Sequence, residues 1–147
     1  MFKKILVPVD GSEASRLAVR TAARMAEKFG AEVMLFHVMQ LPSPTEMFET
    51  FSGKLGEIYY QVKDRIARFG SRVLEDALKD CEGFKVIFKE KAVWGEPARE
   101  IIQEAAEGRY DLVVMGSRGW DDVDEWLLGS ISQRVVRRCK CPVLVVR

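Results

Sequence analysis

The sequence predicts an α/β protein built on a doubly wound parallel sheet of five strands with four helices. Five short apolar segments alternate with helical patterns, in the order β-α-β-α-β-α-β-α-β. The segments are nearly continuous in apolar residues, which is typical of strands covered on both faces. Right-handed crossovers then place helices on both sides of the sheet and give three layers, α/β/α. At 147 residues we expect one domain spanning 1–147.

The first strand is expected over residues 3–9 (KKILVPV), and Ser12 caps the helix after it. Gly30 ends that helix, and a second strand, AEVMLFHV, covers residues 31–38. Residues 41–51 contain two prolines and no sustained period, so we expect a mobile loop with at most a short turn. The predicted buried stripe of the first helix is Leu17, Thr21 or Ala22, Met25 and Phe29.

A long amphipathic helix is predicted from Leu55 to about Asp80. Residues 84–93 alternate apolar with charged side chains, which indicates a strand near the sheet edge. Pro97 fits the first position of the next helix, which Gly108 ends. The buried strand DLVVM (111–115), a glycine-containing loop, a helix and a final strand complete the chain.

The segment GSRGWDDVDEWLLGS, residues 116–130, is the strongest candidate for a binding site. Glycines without Cβ let backbone N–H groups approach an anion, and a helix N-terminus supplies unpaired donors. The Ser130 hydroxyl either caps the helix or bonds a phosphate oxygen. The alternative is that Gly116 is a turn residue and Gly129 with Ser130 an ordinary cap.

Two residues at strand ends have alternative interpretations as well. Asp10 either accepts hydrogen bonds from ribose hydroxyls or is a turn residue ahead of Ser12. Val38 either offers its backbone to a base edge or is a core valine. With the first and fourth strands adjacent at the sheet centre, residues 8–10 and Met115-Gly116 meet in one crevice.

Taken together, these segments resemble the universal stress protein family, in its ATP-binding branch. The similarity extends over nearly the whole chain through VPVDGSEAS, LFHV, GEPAREI, DLVVMGSRG and LLGSISQRVVRRCKCPVLVV. It implies a Rossmann-like sheet ordered 3-2-1-4-5 and a nucleotide site. Adenine and ribose would lie among Pro8, Val9, Asp10 and Val38, and phosphates would bind Gly116, Gly119, Gly129, Ser130, Ile131 and Ser132. The predicted site also includes Met115, Ser117 and Arg118.

The resemblance also implies a homodimer through the last strand, from Pro142 to Val146, an apolar edge that would otherwise be exposed. One departure lies inside the loop, where residues 121–125 carry four carboxylates and no Lys or Arg. Beside phosphates, either Mg²⁺ or Mn²⁺ bridges these groups, or they face water, or the site takes AMP or nothing. Arg118 is the nearest fixed positive charge that would offset them.

Composition excludes several other classes. With 23 basic and 22 acidic residues, nucleic acid and membrane surfaces are not expected partners. The apolar runs are too short to span a membrane, and the N-terminal residues lack the long apolar region of a signal peptide. We therefore expect a cytoplasmic protein. The chain has three cysteines and a single histidine, His37, too few ligands to favour a metal site. We therefore interpret the cysteines, including the Cys139-Lys140-Cys141 pattern, as packing residues.

Neither GxxxxGK[ST] nor GxGxxG occurs, and the single histidine excludes the paired-histidine site of nucleotidyltransferases. The leading hypothesis is an ATP-binding, nucleotide-sensing regulator of the stress response that acts as a homodimer. The alternatives are a slow metal-dependent ATPase using the same site and a nucleotide-free dimeric interaction module.

Overall fold

The computed structural model describes residues 1–51, 55–120 and 127–147. Its elements, in chain order, are β1 (Lys4–Pro8), α1 (Glu13–Phe29), β2 (Glu32–Met39), α2 (Pro44–Phe51), α3 (Leu55–Asp80), β3 (Phe88–Trp94), α4 (Pro97–Glu107), β4 (Leu112–Gly116), α5 (Ser130–Arg138) and β5 (Val143–Val146). All five strands are parallel in the order β3-β2-β1-β4-β5, which confirms the predicted topology.

Helices cover both faces of the sheet, as the apolar strands predict. On one face, α1 and α3 pack on a core that includes Val7, Leu35 and Val114. On the other, α4 and α5 enclose a core around Phe36 and Met115. The central strands β1 and β4 are therefore buried on both sides along most of their length.

The buried face of α1 matches the predicted stripe in part, since Ala22 is buried and Met25 packs against the core. Leu17 and Phe29 are 36% and 39% exposed, and the helix instead buries a face of small residues: Ser15, Ala18, Val19, Ala22, Ala23 and Ala26. Small side chains let a helix approach a sheet closely, and that contact buries more apolar surface than the larger residues would at the rim. The prediction that α1 ends at Gly30 is confirmed, and Gly30 has a left-handed φ of 67°.

The described residues form five helices where four were predicted, because residues 44–51 form α2 in place of the predicted loop. Ser43 Oγ accepts from the N–H of Glu46 at 3.1 Å, and Glu46 Oε2 accepts from the N–H of Ser43 at 2.7 Å. This reciprocal arrangement is a capping box, followed by Pro44 at the first helical position. The pattern Ser-Pro-Thr-Glu carried that signal in the sequence.

The strand β3 lies at the sheet edge, as its alternating pattern predicts, but it begins at Phe88 and not at residue 84. Its pairing with β2 starts at Val33 opposite Phe88, and of the residues before it Ile87 contributes its carbonyl, which accepts from the N–H of Val33 at 2.9 Å. The helix α3 passes through Gly70 without a break. A Cβ at Gly70 would lie 2.9 Å from His37 Cδ2, so the glycine gives the histidine ring its space.

Within the described residues, none of the helices combines the length and the apolar character that crossing a membrane requires.

Candidate functional site

A cleft of about 620 Å³, including its open mouth, lies at the carboxyl ends of β1 and β4. All the predicted site residues except Ser117 and Ser130 line it: Pro8, Val9, Asp10, Val38, Met115, Gly116, Arg118, Gly119, Gly129, Ile131 and Ser132. Segments from both halves of the chain thus meet where the winding of the sheet reverses.

The end of β1 places Asp10 at the centre of this cleft. One carboxylate oxygen, Oδ1, accepts from the N–H of Ser12 at 2.8 Å, so Asp10 does stabilise the turn. Its other oxygen, Oδ2, faces Gly119, where an added Cβ would lie only 2.7 Å away. The indole Nε1–H of Trp120 donates to the Asp10 carbonyl at 2.6 Å and fixes the loop across β1. Both interpretations of Asp10 are therefore compatible with its position.

The glycine loop is closed at its base by hydrogen bonds around Ser117. The N–H of Gly129 donates to the Ser117 carbonyl at 2.7 Å, and the N–H of Ser117 donates to the Val146 carbonyl at 2.9 Å. Ser132 Oγ lies 2.8 Å from the Ser117 carbonyl and 2.9 Å from that of Gly129. The N–H and the carbonyl of Ser117 are therefore both bonded within the protein, and the Ser132 hydroxyl donates its proton to a backbone carbonyl. Both serines hold the loop, and the Ser132 N–H is the group that remains for a ligand.

Unlike the starts of α1, α2 and α4, that of α5 has no side-chain cap. In α1, Ser12 Oγ accepts from the N–H of Ser15, and in α4 the Glu96 carboxylate accepts from two first-turn N–H groups. The N-cap of α5 is Gly129, which makes no such bond. Its first intrahelical bond runs from the N–H of Gln133 to the Gly129 carbonyl. The first-turn amides, together with the positive end of the helix dipole, are thus available at the cleft.

Gly116 lines the cleft, whereas Ser130 does not. A Cβ at Gly116 would lie 2.8 Å from Ala14 Cβ and 2.9 Å from the Ala14 carbonyl carbon. The absence of a side chain at Gly116 therefore serves the packing of α1 on β4. Ser130 is exposed and lies outside the cleft lining, so its backbone N–H, not its hydroxyl, belongs with the other α5 donors.

Five further lining residues were missed in the sequence: Ser15, Phe36, His37, Pro97 and Ile101. Pro97 and Ile101 come from the first turns of α4, which follows the carboxyl end of β3. The sequence could have indicated these two residues, because every crossover helix begins at the edge of the sheet where the strands have their carboxyl ends. His37 is 6% exposed, and its Nδ1 lies 2.8 Å from the Val9 carbonyl. It therefore holds β2 to the segment that carries Asp10.

An ion pair connects the two helices on the cleft's outer rim. Arg134 Nη1 of α5 donates to Glu96 Oε1 at the start of α4, at 2.7 Å. Partial burial opposes ionisation of Glu96. The N–H of Arg99, the Arg134 guanidinium and the N–H of Ala98 outweigh this effect and hold the pKa of the carboxyl below its usual value. Glu96 is therefore ionised at neutral pH and fixes the separation of the helices.

The acidic segment for which a metal bridge was one alternative, residues 121–125, lies outside the described residues. In the part of the chain that is described, no three His, Cys, Asp or Glu side chains are placed to hold a metal ion. The bridging role of Mg²⁺ or Mn²⁺ stays a prediction.

Comparison with known proteins agrees with the fold. A sequence model of the universal stress protein family matches residues 1–147. Universal stress protein YxiE of Bacillus subtilis is 34% identical, with all of both chains covered. The solved structure of MJ0577 superposes with a TM-score of 0.81 at 30% identity, covering 99% of this chain and 96% of that one; MJ0577 is a universal stress protein of Methanocaldococcus jannaschii.

More distant structures share the fold and carry ligands. The Arabidopsis thaliana family member At3g01520, solved with AMP bound, has a TM-score of 0.69 at 20% identity, covering 98% of this chain and 90% of that one. Solved universal stress proteins also include complexes with cAMP and dAMP.

Proposed function

The chain belongs to the universal stress protein family, and from that membership and the cleft we propose that it binds an adenine nucleotide, ATP or AMP. We place it in the ATP-binding branch, as a nucleotide-sensing homodimer in the stress response. The observation that carries the proposal is the start of α5, whose N-cap is a glycine without a side-chain bond and which opens on the cleft.

Phosphate binding follows from this helix start. The N–H groups of Ser130, Ile131 and Ser132 precede the first intrahelical bond of α5. A phosphate satisfies such donors and is stabilised by the positive end of the helix dipole. Arg118, which also lines the cleft, adds a positive charge on the loop side.

The base and ribose take the rest of the cleft. Val38 and Ile101 provide apolar walls for a planar base, and Pro97 adds a third from the start of α4. Asp10 Oδ2, beside Gly119, is the acceptor for a ribose hydroxyl, while Oδ1 keeps its bond to Ser12. This division assigns each part of a nucleotide to a group of matching chemistry.

Isothermal titration with ATP, ADP, AMP and GTP, each with and without Mg²⁺, tests the proposal. We expect heat with the adenine nucleotides and weaker binding of GTP. Enhancement of ATP binding by Mg²⁺, abolished by chelation, would support a bridging metal. The absence of heat for every nucleotide at millimolar concentration, in both conditions, would contradict nucleotide binding. Mass spectrometry of the purified protein for retained AMP or ATP gives an independent measurement.

The homodimer is proposed through β5. This strand is the sheet edge next to β4, and Leu144 on it is 37% exposed. A second copy would cover the edge and this side chain. Light scattering after size-exclusion chromatography should give a dimer for the wild type and a monomer for Leu144→Lys. An unchanged mass for Leu144→Lys, or a monomeric wild type, would contradict this interface.

A further inference from the structure

The thiols of Cys139 and Cys141 face each other between α5 and β5. Their Sγ atoms are 3.4 Å apart and within hydrogen-bond distance. The backbone holds both ends of this short segment. The N–H of Cys139 donates to the Val135 carbonyl at 2.8 Å, and the carbonyl of Pro142 accepts from the N–H of Val113 at 3.0 Å. The pairing of the thiols is therefore built into the junction of helix and strand.

The remaining cysteine, Cys81, provides an internal contrast. It is 4% exposed, and its Sγ donates to the Ala77 carbonyl at 3.2 Å within α3. Burial raises the pKa of its thiol to about 12. Cys139 and Cys141 are instead both half-buried, and they pack at the edge of the core around Phe36 and Met115.

The surroundings of the pair select the reagent. Arg137, Arg138 and Lys140 are exposed on the same short segment, and cations of this kind attract anions. Burial, and a hydrogen bond to Cys139, raise the pKa of Cys141 to about 12. The thiol of Cys141 therefore resists ionisation near neutral pH, and the two sulfurs lie within hydrogen-bond distance of each other.

We propose that Cys139 and Cys141 form a reversible dithiol–disulfide pair that exchanges with an anionic low-molecular-weight disulfide such as glutathione disulfide. One of the two protein thiols loses its proton to solvent, and its thiolate attacks one sulfur of the external disulfide. A mixed disulfide forms and one external thiolate leaves and is protonated by solvent. The second protein thiol then loses its proton to solvent, its thiolate attacks the protein sulfur of the mixed disulfide, and the second external thiolate leaves and is protonated in turn. Two electrons pass from the two protein thiols to the external disulfide, which becomes two thiols.

Peptide mapping tests the pair directly. The protein is equilibrated in buffers of varied glutathione to glutathione disulfide ratio, quenched by alkylation and digested with trypsin without reduction. Trypsin cleaves after Arg138 and Lys140, so only an internal disulfide keeps the peptide of residues 139–140 attached to that of residues 141–147. We expect the attached form to increase with the oxidant and to disappear on adding dithiothreitol.

Matched variants control the assignment. Cys81→Ser should retain the linkage, whereas Cys139→Ser and Cys141→Ser should lose it. If the wild type shows only alkylated thiols or only glutathione adducts at every ratio, the proposal is wrong. The wild-type digest alone decides this, even if a serine variant fails to fold.

The choice of an anionic partner has its own test. Glutathione disulfide should oxidise the pair faster than cystamine, a cationic disulfide. The difference should shrink in roughly 1 M salt, where the Debye length is about 3 Å. Equal rates at low salt would overturn the role given to Arg137, Arg138 and Lys140.

Discussion

Two glycines of the candidate site should respond to alanine in different ways, because their missing side chains face different neighbours. A Cβ at Gly119 would meet the end of a side chain, Asp10 Oδ2, at 2.7 Å. That carboxylate can rotate away at little cost to folding, but it then leaves the position proposed for the ribose. We expect Gly119→Ala to weaken nucleotide binding about tenfold, since a hydrogen bond to a charged group contributes about 1.5–3 kcal/mol.

At Gly116 the added Cβ would meet Ala14 Cβ at 2.8 Å and the backbone of α1 at 2.9 Å, where nothing can rotate aside. Overpacking of this kind costs about 1–3 kcal/mol. The smaller entropy of the unfolded alanine chain offsets about 0.4–1 kcal/mol of that cost. The net loss in Gly116→Ala is then about 1–2 kcal/mol, and the Tm falls by about 2–8 °C for a chain of this size.

Titration calorimetry with AMP and thermal unfolding, applied to both variants, separate these effects. Gly56→Ala is the matched control, because Gly56 lies on the exposed surface of α3 with no atom within 4 Å of an added Cβ. It should keep full affinity and gain about 0.5–1 kcal/mol of stability. The reasoning would be refuted if Gly119→Ala bound AMP as the wild type does, or if Gly116→Ala unfolded at the wild-type temperature.

Further predictions concern the packing and electrostatics of the scaffold. In urea unfolding, Gly70→Ala should lower the free energy of unfolding by about 1–3 kcal/mol. The new Cβ would meet the His37 ring at 2.9 Å, and that ring is held by its bond to Val9. An unchanged urea midpoint would contradict this. The hydrogen bond from Arg16 holds the pKa of Asp80 below its ordinary value of 3.8. The pair of Arg16 and Asp80 therefore stabilises the fold above that pH, and this stabilisation is lost as the pH falls through the lower pKa of Asp80 in the folded state. Arg16→Gln should therefore cost about 1 kcal/mol at neutral pH and lose its difference from the wild type in acid, whereas a constant difference from neutral pH to below pH 3 would argue against the pairing.

Much of the fold was predictable because the information is local. The apolar strands, the Gly30 helix end and the Pro97 helix start each depend on a few neighbouring residues. The α2 helix was also encoded locally, in the Ser43 and Glu46 capping box, and was missed because two prolines suggested a loop. The buried face of α1 was not local, since either stripe is helical and only the sheet beneath selects the small residues.

The candidate site divides in the same way. The sequence by itself determined which segments meet, because parallel strands with crossover helices bring their carboxyl ends to one edge. Only the tertiary structure decided what each residue does there. It turned Ser117 inward, engaged the Ser132 hydroxyl and set Gly116 against α1, because these contacts join residues that are 3 to 102 positions apart. It also brought Gly119 to Asp10 and left α5 without a side-chain cap, and these are the two features on which a bound nucleotide would depend.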